Sequence, residues 1–263
     1  MTETVTDRLA PDPLERFRLD DRVALVTGAS SGLGVQFARC LHAAGARVVI
    51  TARRKDRLDA LRAELPGTLA IAADVSDEQS REDLVAAMLE EMGTVDVLVN
   101  NAGVGRMVSI ESESLETFRR ALEVNVTSMW HLSKLCGNVM VRQGAGSIVN
   151  VASILGFVAS APIKQAHYTA SKGAVLNLTR ELAVQWARKG VRVNGLAPGW
   201  FPSEMTADMT DDEGSQRFVK TNCPMARFGE PGELDGALLL LASPAGSFIT
   251  GHTIVVDGGW IAR

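Results

Sequence analysis

The sequence has few of the residues that build disulfide frameworks and metal centres. It contains three cysteines, Cys40, Cys136 and Cys223, and their odd number and wide spacing argue against disulfide pairing. Free cysteines are typical of reducing compartments, so we expect a cytoplasmic protein. The four histidines show no ligand spacing with cysteines or carboxylates, and a catalytic metal is therefore not expected.

Long apolar runs and an excess of one charge are also lacking. The apolar stretch Ala237–Ala242 is far shorter than the roughly 18–20 residues that cross a bilayer. The N-terminal residues lack the basic and apolar segments of a secretory signal. The formal net charge is −4 with mixed signs, so no basic surface for nucleic acid is expected. The sequence predicts neither a membrane nor a nucleic acid as a partner.

Short runs rich in valine and isoleucine are present, and they alternate with longer segments of helical periodicity. The predicted strands are Val23–Thr27, Ala46–Ala52, Thr68–Ala72, Val95–Asn100, Gly146–Ala152, Gly190–Leu196 and Thr253–Asp257. The predicted helices are Gly34–Ala44, Lys55–Leu65, Asp77–Met92, Leu115–Gln143, Gln165–Lys189 and Glu233–Ala242. The strands are apolar nearly throughout, as is typical of strands covered on both faces. This alternation predicts one α/β domain, with a doubly wound sheet of about seven mostly parallel strands between two layers of helices.

Two segments do not fit the alternation. Residues 1–18 are polar and contain prolines at positions 11 and 13, and we interpret them as an N-terminal arm preceding a domain at 19–263. Residues 200–227 combine two prolines and several acidic residues with bulky apolar ones. Long excursions inside a compact domain are usually functional lids or disordered loops, and we predict a substrate lid here.

A glycine-rich segment follows the first predicted strand, with a G-x-x-x-G-x-G pattern. Glycine allows a tight turn and lets a pyrophosphate approach the backbone at the start of a helix. The spacing differs from the G-x-G-x-x-G of many dinucleotide folds, and an ordinary strand-to-helix turn is the alternative. Its position favours dinucleotide binding by Gly28, Ser30, Ser31, Gly32, Leu33 and Gly34.

The residues after the second predicted strand indicate which nucleotide is bound. An acidic side chain there holds the ribose 2′-hydroxyl of NAD, whereas arginine accommodates the 2′-phosphate of NADP. Arg53 and Arg54 follow the strand, and the first acidic residue is Asp56. A guanidinium binds phosphate in a bidentate manner, so the sequence favours NADP(H), with Arg53 as the main phosphate ligand. NAD(H) is the alternative, in which these cations only cover the surface at a helix start.

Tyr168 and Lys172 are four residues apart in a predicted helix, a spacing that places both side chains on one face. A nearby cation favours phenolate, so we expect Lys172 to lower the tyrosine pKa from its usual value of about 10. Such a tyrosine can exchange a proton with an alcohol or carbonyl oxygen. The spacing alone is weak evidence, because tyrosine and lysine meet at this distance by chance on many helices.

Taken together with further short motifs, these features resemble the short-chain dehydrogenase/reductase family over residues 20–263. The motifs are Thr27–Gly34, Asp74-Val75, Asn100–Gly103, Asn125, Ser153, Tyr168 with Lys172, and Pro198-Gly199. The resemblance implies a Rossmann-like fold and an NADP-preferring oxidoreductase similar to 3-oxoacyl reductases and sugar-acid dehydrogenases. A hydride would pass between NADP(H) and a carbonyl or secondary alcohol of a small molecule.

The resemblance also implies a role for each motif. Tyr168 would be the general acid/base, and Ser153 would hydrogen-bond the substrate oxygen. Lys172 would lower the tyrosine pKa and hold the nicotinamide ribose, while Asn125 would hold a water that links Lys172 to solvent. Further cofactor contacts would come from Asp74 and Val75 at the adenine, Asn101, Ala102 and Gly103 at the adenosine ribose, and Pro198, Gly199 and Ser203 at the nicotinamide.

Each of these residues has an ordinary structural alternative. Ser153 could simply cap or end a strand, Asn125 could bond its own helix backbone, and Asp74 could only cap the next helix. The roles of Ser30, Arg54 and Ser203 rest on the least evidence. Substrate contacts are predicted for the apolar residues around the active site, namely Ile154, Leu155, Phe157, Trp200, Phe201 and Met205. Core packing explains some of these six equally well.

The predicted helices Leu115–Gln143 and Gln165–Lys189 bear more apolar residues than one core-facing stripe needs. The family resemblance implies that they pair in a homotetramer, or in a homodimer. Two rival functions stay open, an NAD-dependent alcohol dehydrogenase and a non-catalytic NADP-binding scaffold. The presence of Ser153, Tyr168, Lys172 and Asn125 together argues against the scaffold, which has no chemical need for all four.

Overall fold

Seven parallel strands form one sheet in the computed structural model, which describes residues 12–207 and 212–262. The strands are β1 Val23–Thr27, β2 Arg47–Ala52, β3 Leu69–Ala72, β4 Val97–Asn100, β5 Gly146–Val151, β6 Val191–Pro198 and β7 Thr253–Val256. Their order is β3-β2-β1-β4-β5-β6-β7. The chain changes direction across the sheet between β1 and β4, and ligands of open α/β sheets bind at such switch points. The predicted doubly wound, Rossmann-like fold is confirmed.

Apolar side chains on both faces of the sheet explain why its strands are almost continuously hydrophobic. Along β1, Ala24 and Val26 join one buried cluster, whereas Val23 and Leu25 join the other. Successive side chains of a strand point to opposite faces, so each cluster lies on its own side of the sheet. Removing this apolar surface from water is the main driving force for the fold.

The helices cover both faces of the sheet. They are α1 Gly32–Ala43, α2 Lys55–Glu64, α3 Glu78–Met92, α4 Leu115–Leu122, α5 Ser128–Gln143, α6 Ala166–Trp186, α7 Glu213–Asn222 and α8 Asp235–Ala242. The first cluster holds buried residues of α1, α2 and α8, and the second holds those of α3, α5 and α6. Within the described residues, no helix has the length and apolar composition needed to cross a bilayer.

One predicted helix is corrected by the structure. The single helix expected at Leu115–Gln143 is divided by a π-helical turn at Glu123–Thr127, between α4 and α5. In this turn the Ser128 amide bonds to the Glu123 carbonyl, five residues back. Single π-turns inside α-helices often occur at functional sites, and this one contains Asn125.

The N-terminal arm and the lid are only partly described. Residues 1–11 of the arm and 208–211 of the lid lie outside the described ranges. The rest of the arm forms a short 3₁₀ helix, Pro13–Phe17, from which Arg16 donates to the Ser247 hydroxyl. The lid leaves β6 through a short 3₁₀ helix, Glu204–Thr206, and continues into α7.

Candidate functional site

A cleft of about 320 Å³ opens at the carboxyl ends of the strands, where β1 and β4 meet. The structure brings nearly all the predicted cofactor residues together there. Those in the cleft wall are Gly28, Ser30, Ser31, Gly32, Leu33, Arg53, Arg54, Asp74, Val75, Asn101, Ala102, Gly103, Tyr168, Lys172, Pro198, Gly199 and Ser203. Segments separated by more than a hundred residues in the sequence thus form one continuous surface.

Two glycines make the turn at the start of α1 geometrically possible. Gly28 has a φ of +69°, which side-chain-bearing residues rarely adopt. A Cβ atom at Gly34 would lie 2.3 Å from the Gly28 carbonyl oxygen, so only glycine allows this close approach. Asn101 fixes the turn from outside, since its Nδ2 donates to the Thr27 carbonyl at 2.9 Å. Asn101 therefore supports the turn as well as lining the cleft.

The two arginines after β2 have different surroundings. Arg53 is exposed at the edge of the cleft and has no hydrogen bond or ion pair with any residue in the described ranges. Arg54 instead donates to the hydroxyls of Ser30 and Ser31 and to the Glu204 carboxylate, with distances of 2.8 to 3.2 Å. Arg53 is therefore the guanidinium whose donors are available for a phosphate.

The alternative interpretation of Asp74 as a helix cap is not supported. Its Oδ1 accepts from the amide and the hydroxyl of Ser76, at 2.9 and 2.7 Å. Asp77 caps α3 instead, because its side chain accepts from the Ser80 amide. Asp74 thus remains in the cleft wall with a carboxylate oxygen that can accept from a ligand.

Tyr168 and Ser153 meet at the inner end of the cleft. Burial raises the pKa of the Tyr168 phenol, and a hydrogen bond with Ser153 opposes that effect. The expected lowering of this pKa by Lys172 is not seen in the structure, in which burial has the larger effect and the lysine donates to Val151. The Ser153 hydroxyl also accepts from the Leu155 amide at 3.1 Å, which leaves its own proton for the hydrogen bond with Tyr168.

Lys172 is buried and lines the cleft. Its Nζ donates to the Val151 carbonyl at 2.7 Å and lies 5.6 Å from the centre of the Tyr168 ring. Burial lowers the pKa of Lys172 from 10.5 to about 8, because the charged ammonium loses solvation. An amine of this pKa can release and regain a proton under mildly alkaline conditions.

Asn125 joins its π-helical turn to two other segments, the loop after β4 and α6. Its Nδ2 donates to the Val104 carbonyl and to the Ser171 hydroxyl, both at 2.9 Å, and its Oδ1 accepts from the Val104 amide at 2.8 Å. The idea that it bonds only its own helix is wrong. Both amide hydrogens are used, so a water held by Asn125 would need its second Oδ1 lone pair or its backbone carbonyl.

A second cavity of about 90 Å³ adjoins the phenol of Tyr168. Four of the predicted substrate residues line it, namely Ile154, Leu155, Trp200 and Met205. The other two predictions are corrected. Phe157 lines neither cavity and is 40% exposed, while Phe201 lines the cofactor cleft and packs against Gly229. The loop between Ser153 and Tyr168 turns Phe157 outward, which the sequence spacing could not show.

Sequence reasoning missed one wall of the second cavity. The loop after β4 contributes Gly105, Arg106 and Met107, and the loop before α6 contributes Ile163 and Gln165. Gly105 could have signalled a close approach, because a Cβ there would lie 2.8 Å from the Tyr168 ring. The other residues belong to irregular segments without a periodic pattern, so only folding places them beside the tyrosine.

A buried hydrogen-bonded pair next to Tyr168 was also missed. His167 Nδ1 bonds to the Glu113 carboxylate, and both side chains are at most 3% exposed. His167 Nε2 accepts from the Arg106 amide at 3.3 Å. The pair therefore attaches the loop after β4 to the first turn of α6, which carries the tyrosine.

Folding also brings His131 close to two carboxylates, a grouping that the sequence spacing did not suggest. Oxygens of Glu78 and Glu82 and a ring nitrogen of His131 lie within 4.8 Å of one another. Arg81 Nε donates to His131 Nδ1 at 3.0 Å, so in the neutral ring the proton is on Nε2. A protonated nitrogen cannot ligate a metal, and we interpret the group as a hydrogen-bonding network.

Comparisons with known proteins agree with this geometry. The family model described as enoyl-(acyl carrier protein) reductase matches residues 28–261. A galactitol 2-dehydrogenase (L-tagatose-forming) of Cereibacter sphaeroides is 43% identical over 93% of this chain and 96% of the relative. A gluconate 5-dehydrogenase of Gluconobacter oxydans is 39% identical over 92% of this chain and 96% of the relative.

Solved structures resemble the chain equally closely. The crystal structure of a gluconate 5-dehydrogenase from Burkholderia cenocepacia, in complex with NADP and tartrate, superposes with a TM-score of 0.91. The two sequences are 33% identical, and the match covers 96% of this chain and 100% of that one. A short-chain type dehydrogenase/reductase from Mycobacterium marinum has a TM-score of 0.92 and 35% identity, with 96% and 100% covered.

Proposed function

Since the chain belongs to the short-chain dehydrogenase/reductase family of oxidoreductases, we propose that it interconverts a carbonyl and a secondary alcohol with NADP(H) as the hydride carrier. The observation that carries this proposal is the meeting of Ser153 and Tyr168 where the cofactor cleft joins the second cavity. A substrate oxygen at that junction is within reach of both hydroxyl groups.

The cleft fits a dinucleotide on structural grounds. The Gly28–Gly34 turn leaves backbone amides open at the start of α1, where a pyrophosphate is stabilised. Arg53, at the end of β2, makes no hydrogen bond or ion pair with the described residues, so its guanidinium can bind a 2′-phosphate. Asp74 and Val75 would hold the adenine, and Pro198, Gly199 and Ser203 would line the nicotinamide. When bound, NADPH supplies the hydride for reduction.

The protein side chains supply the proton and position the reacting oxygen. Because burial keeps the Tyr168 phenol protonated at neutral pH, it can give a proton to the oxygen of a carbonyl as that oxygen gains charge. Ser153 donates a second hydrogen bond to the same oxygen. Lys172, with its pKa near 8, is the buried group from which the tyrosinate can be reprotonated.

The substrate would enter the second cavity under the lid of residues 200–227. Its wall is mainly apolar, with Ile154, Leu155 and Trp200 among its residues. Two relatives act, by their names, on a hexitol and on a sugar acid. We therefore propose small hydroxylated ketones and their alcohols as the first substrates to test.

A substrate panel tests the reaction class. Ketones, 3-oxoacyl thioesters, hexitols and aldonates are incubated with NADPH or NADP⁺ and, in parallel, with NADH or NAD⁺, and the nicotinamide absorbance is followed. We expect turnover of at least one carbonyl–alcohol pair, faster with the phosphorylated cofactor. Binding of NADPH without turnover of any compound would favour the scaffold instead.

Assembly and location are part of the same proposal. Trp130 on α5, Val184 on α6 and Phe248 before β7 are 44%, 79% and 103% exposed, and α4 begins with the exposed Leu115. Apolar residues exposed on these elements support a homotetramer, or a homodimer, and analytical ultracentrifugation should show a single species above monomer mass. Three buried free thiols support a cytoplasmic location.

A further inference from the structure

Glu204 occupies the centre of a cluster of hydrogen-bond donors at the phosphate end of the cofactor cleft. Its Oε2 accepts from the Ser31 hydroxyl and from Arg54 Nη2, both at 2.8 Å. Its Oε1 accepts from Arg54 Nη1 at 2.9 Å, and Arg57 Nη1 donates to the same oxygen. One carboxylate on the lid thus binds two guanidinium groups and a hydroxyl from the other side of the cleft.

The carboxylate is held firmly in its anionic form. The hydrogen bonds from Arg54, followed by those from Ser31 and Arg57, lower the pKa of Glu204 to about 2 despite partial burial. Its side chain is 50% exposed, so water screens part of the attraction. The bidentate contact with Arg54 is nevertheless the geometry that arginine uses for carboxylates and phosphates alike.

Two of the three residues that donate to Glu204 line the cofactor cleft. Ser31 lies in the glycine-rich turn, and Arg54 follows β2, where a ribose 2′-group is recognised. All of the Arg54 nitrogens already donate, to Ser30, Ser31 and Glu204. A phosphate arriving beside Arg53 would meet a second anion that shares the same cations, and the two would repel each other.

We propose that Glu204 determines cofactor specificity, because its carboxylate competes with the 2′-phosphate of NADP(H) for Arg54. This inference rests on the proposed function and adds to it an intramolecular competitor at the same site. Binding of the 2′-phosphate releases Glu204, and the short helix Glu204–Thr206 moves with it. Met205 and Thr206 line both the cofactor cleft and the substrate cavity, so the phosphate also changes the wall that the substrate contacts.

The test compares cofactor affinities of wild-type protein and the Glu204→Gln variant by nicotinamide fluorescence at one fixed salt concentration. Glutamine keeps the shape of the side chain but removes its charge. NADPH should bind the variant about tenfold more tightly, while the dissociation constant for NADH should change by less than about twofold. Glu204→Ala removes the hydrogen bonds as well. It should change the NADPH and NADH affinities in the same way as Glu204→Gln does.

Glu213→Gln is the matched control, since it removes the same charge from the start of α7, at a residue that does not line the cleft and makes no hydrogen bond with Arg54 or Arg57. It should leave both affinities unchanged. If Glu204→Gln weakens the binding of NADPH and of NADH equally, the carboxylate helps to hold the bound cofactor. The proposed competition with the 2′-phosphate is then disproved. An unchanged NADPH affinity disproves it as well. Failure of wild-type protein to bind either cofactor would instead overturn the proposed function, and this inference with it.

Discussion

Replacing Tyr168 with phenylalanine is expected to lower kcat for carbonyl reduction by at least about 100-fold, the usual contribution of a general acid. The substitution removes only the phenol oxygen, so the ring keeps its packing against Gly105 and the fold is retained. The NADPH dissociation constant should stay within about threefold of the wild-type value, since cofactor affinity comes mainly from the glycine-rich turn and the cations after β2. Steady-state kinetics and fluorescence titration measure the two quantities separately.

A spectroscopic control is available because Tyr168 is the only tyrosine in the chain. The ultraviolet absorbance of tyrosinate therefore reports on this residue alone. Since burial raises the pKa of Tyr168, the signal in cofactor-free protein should appear only at a pH above the usual value of about 10, and it should be missing in Tyr168→Phe. Equal turnover of variant and wild type would remove Tyr168 from the acid/base role.

Replacing Arg53 with alanine is expected to weaken NADPH binding by about 10- to 100-fold and NADH binding by less than about threefold. A hydrogen bond to a charged group contributes about 1.5–3 kcal/mol, and each 1.4 kcal/mol corresponds to about tenfold in affinity. Arg53 is exposed at the cleft and makes no hydrogen bond or ion pair within the described ranges, and its charge acts only at a distance on the Asp74 carboxylate. The effect should therefore be confined to the phosphorylated cofactor.

Arg62→Ala provides the matched control for charge, because Arg62 is exposed on α2 and lies outside the residues that line the cleft. It should leave the affinity ratio of NADPH to NADH unchanged. The NADPH affinity of Arg53→Ala should also become less sensitive to salt, as one phosphate contact is lost. An unchanged affinity ratio in Arg53→Ala would exclude Arg53 from the phosphate site.

Most of the sheet could be predicted because its signals are local. Each strand was recognised from a run that is apolar nearly throughout, and the structure retains all seven with ends that shift by a few residues. The helix predicted over Leu115–Gln143 begins and ends at those residues in the structure, but a π-helical turn interrupts it. The π-turn around Asn125 depends on hydrogen bonds to Val104 and Ser171, which helical periodicity does not encode.

The site was predictable to the degree that its residues occur in spaced motifs. The glycine-rich turn, Arg53, Ser153 and the Tyr168–Lys172 spacing could be read directly, and their cleft is present in the structure. Phe157 was misplaced because an apolar residue four positions after Ser153 can face either the cavity or solvent. Gly105 and Arg106 were missed because the loop after β4 has no regular period.

By itself the sequence determined the order of strands and helices, the glycine-rich turn after β1, and the presence of side chains that can transfer a proton. These follow from chain order, periodicity and residue spacing, all of which are local properties. Only the tertiary structure decided that Lys172 points to Val151, that burial raises the Tyr168 pKa, and that Glu204 binds an arginine 150 residues away. Solvation and contact between distant segments set these features, and both exist only once the chain is folded.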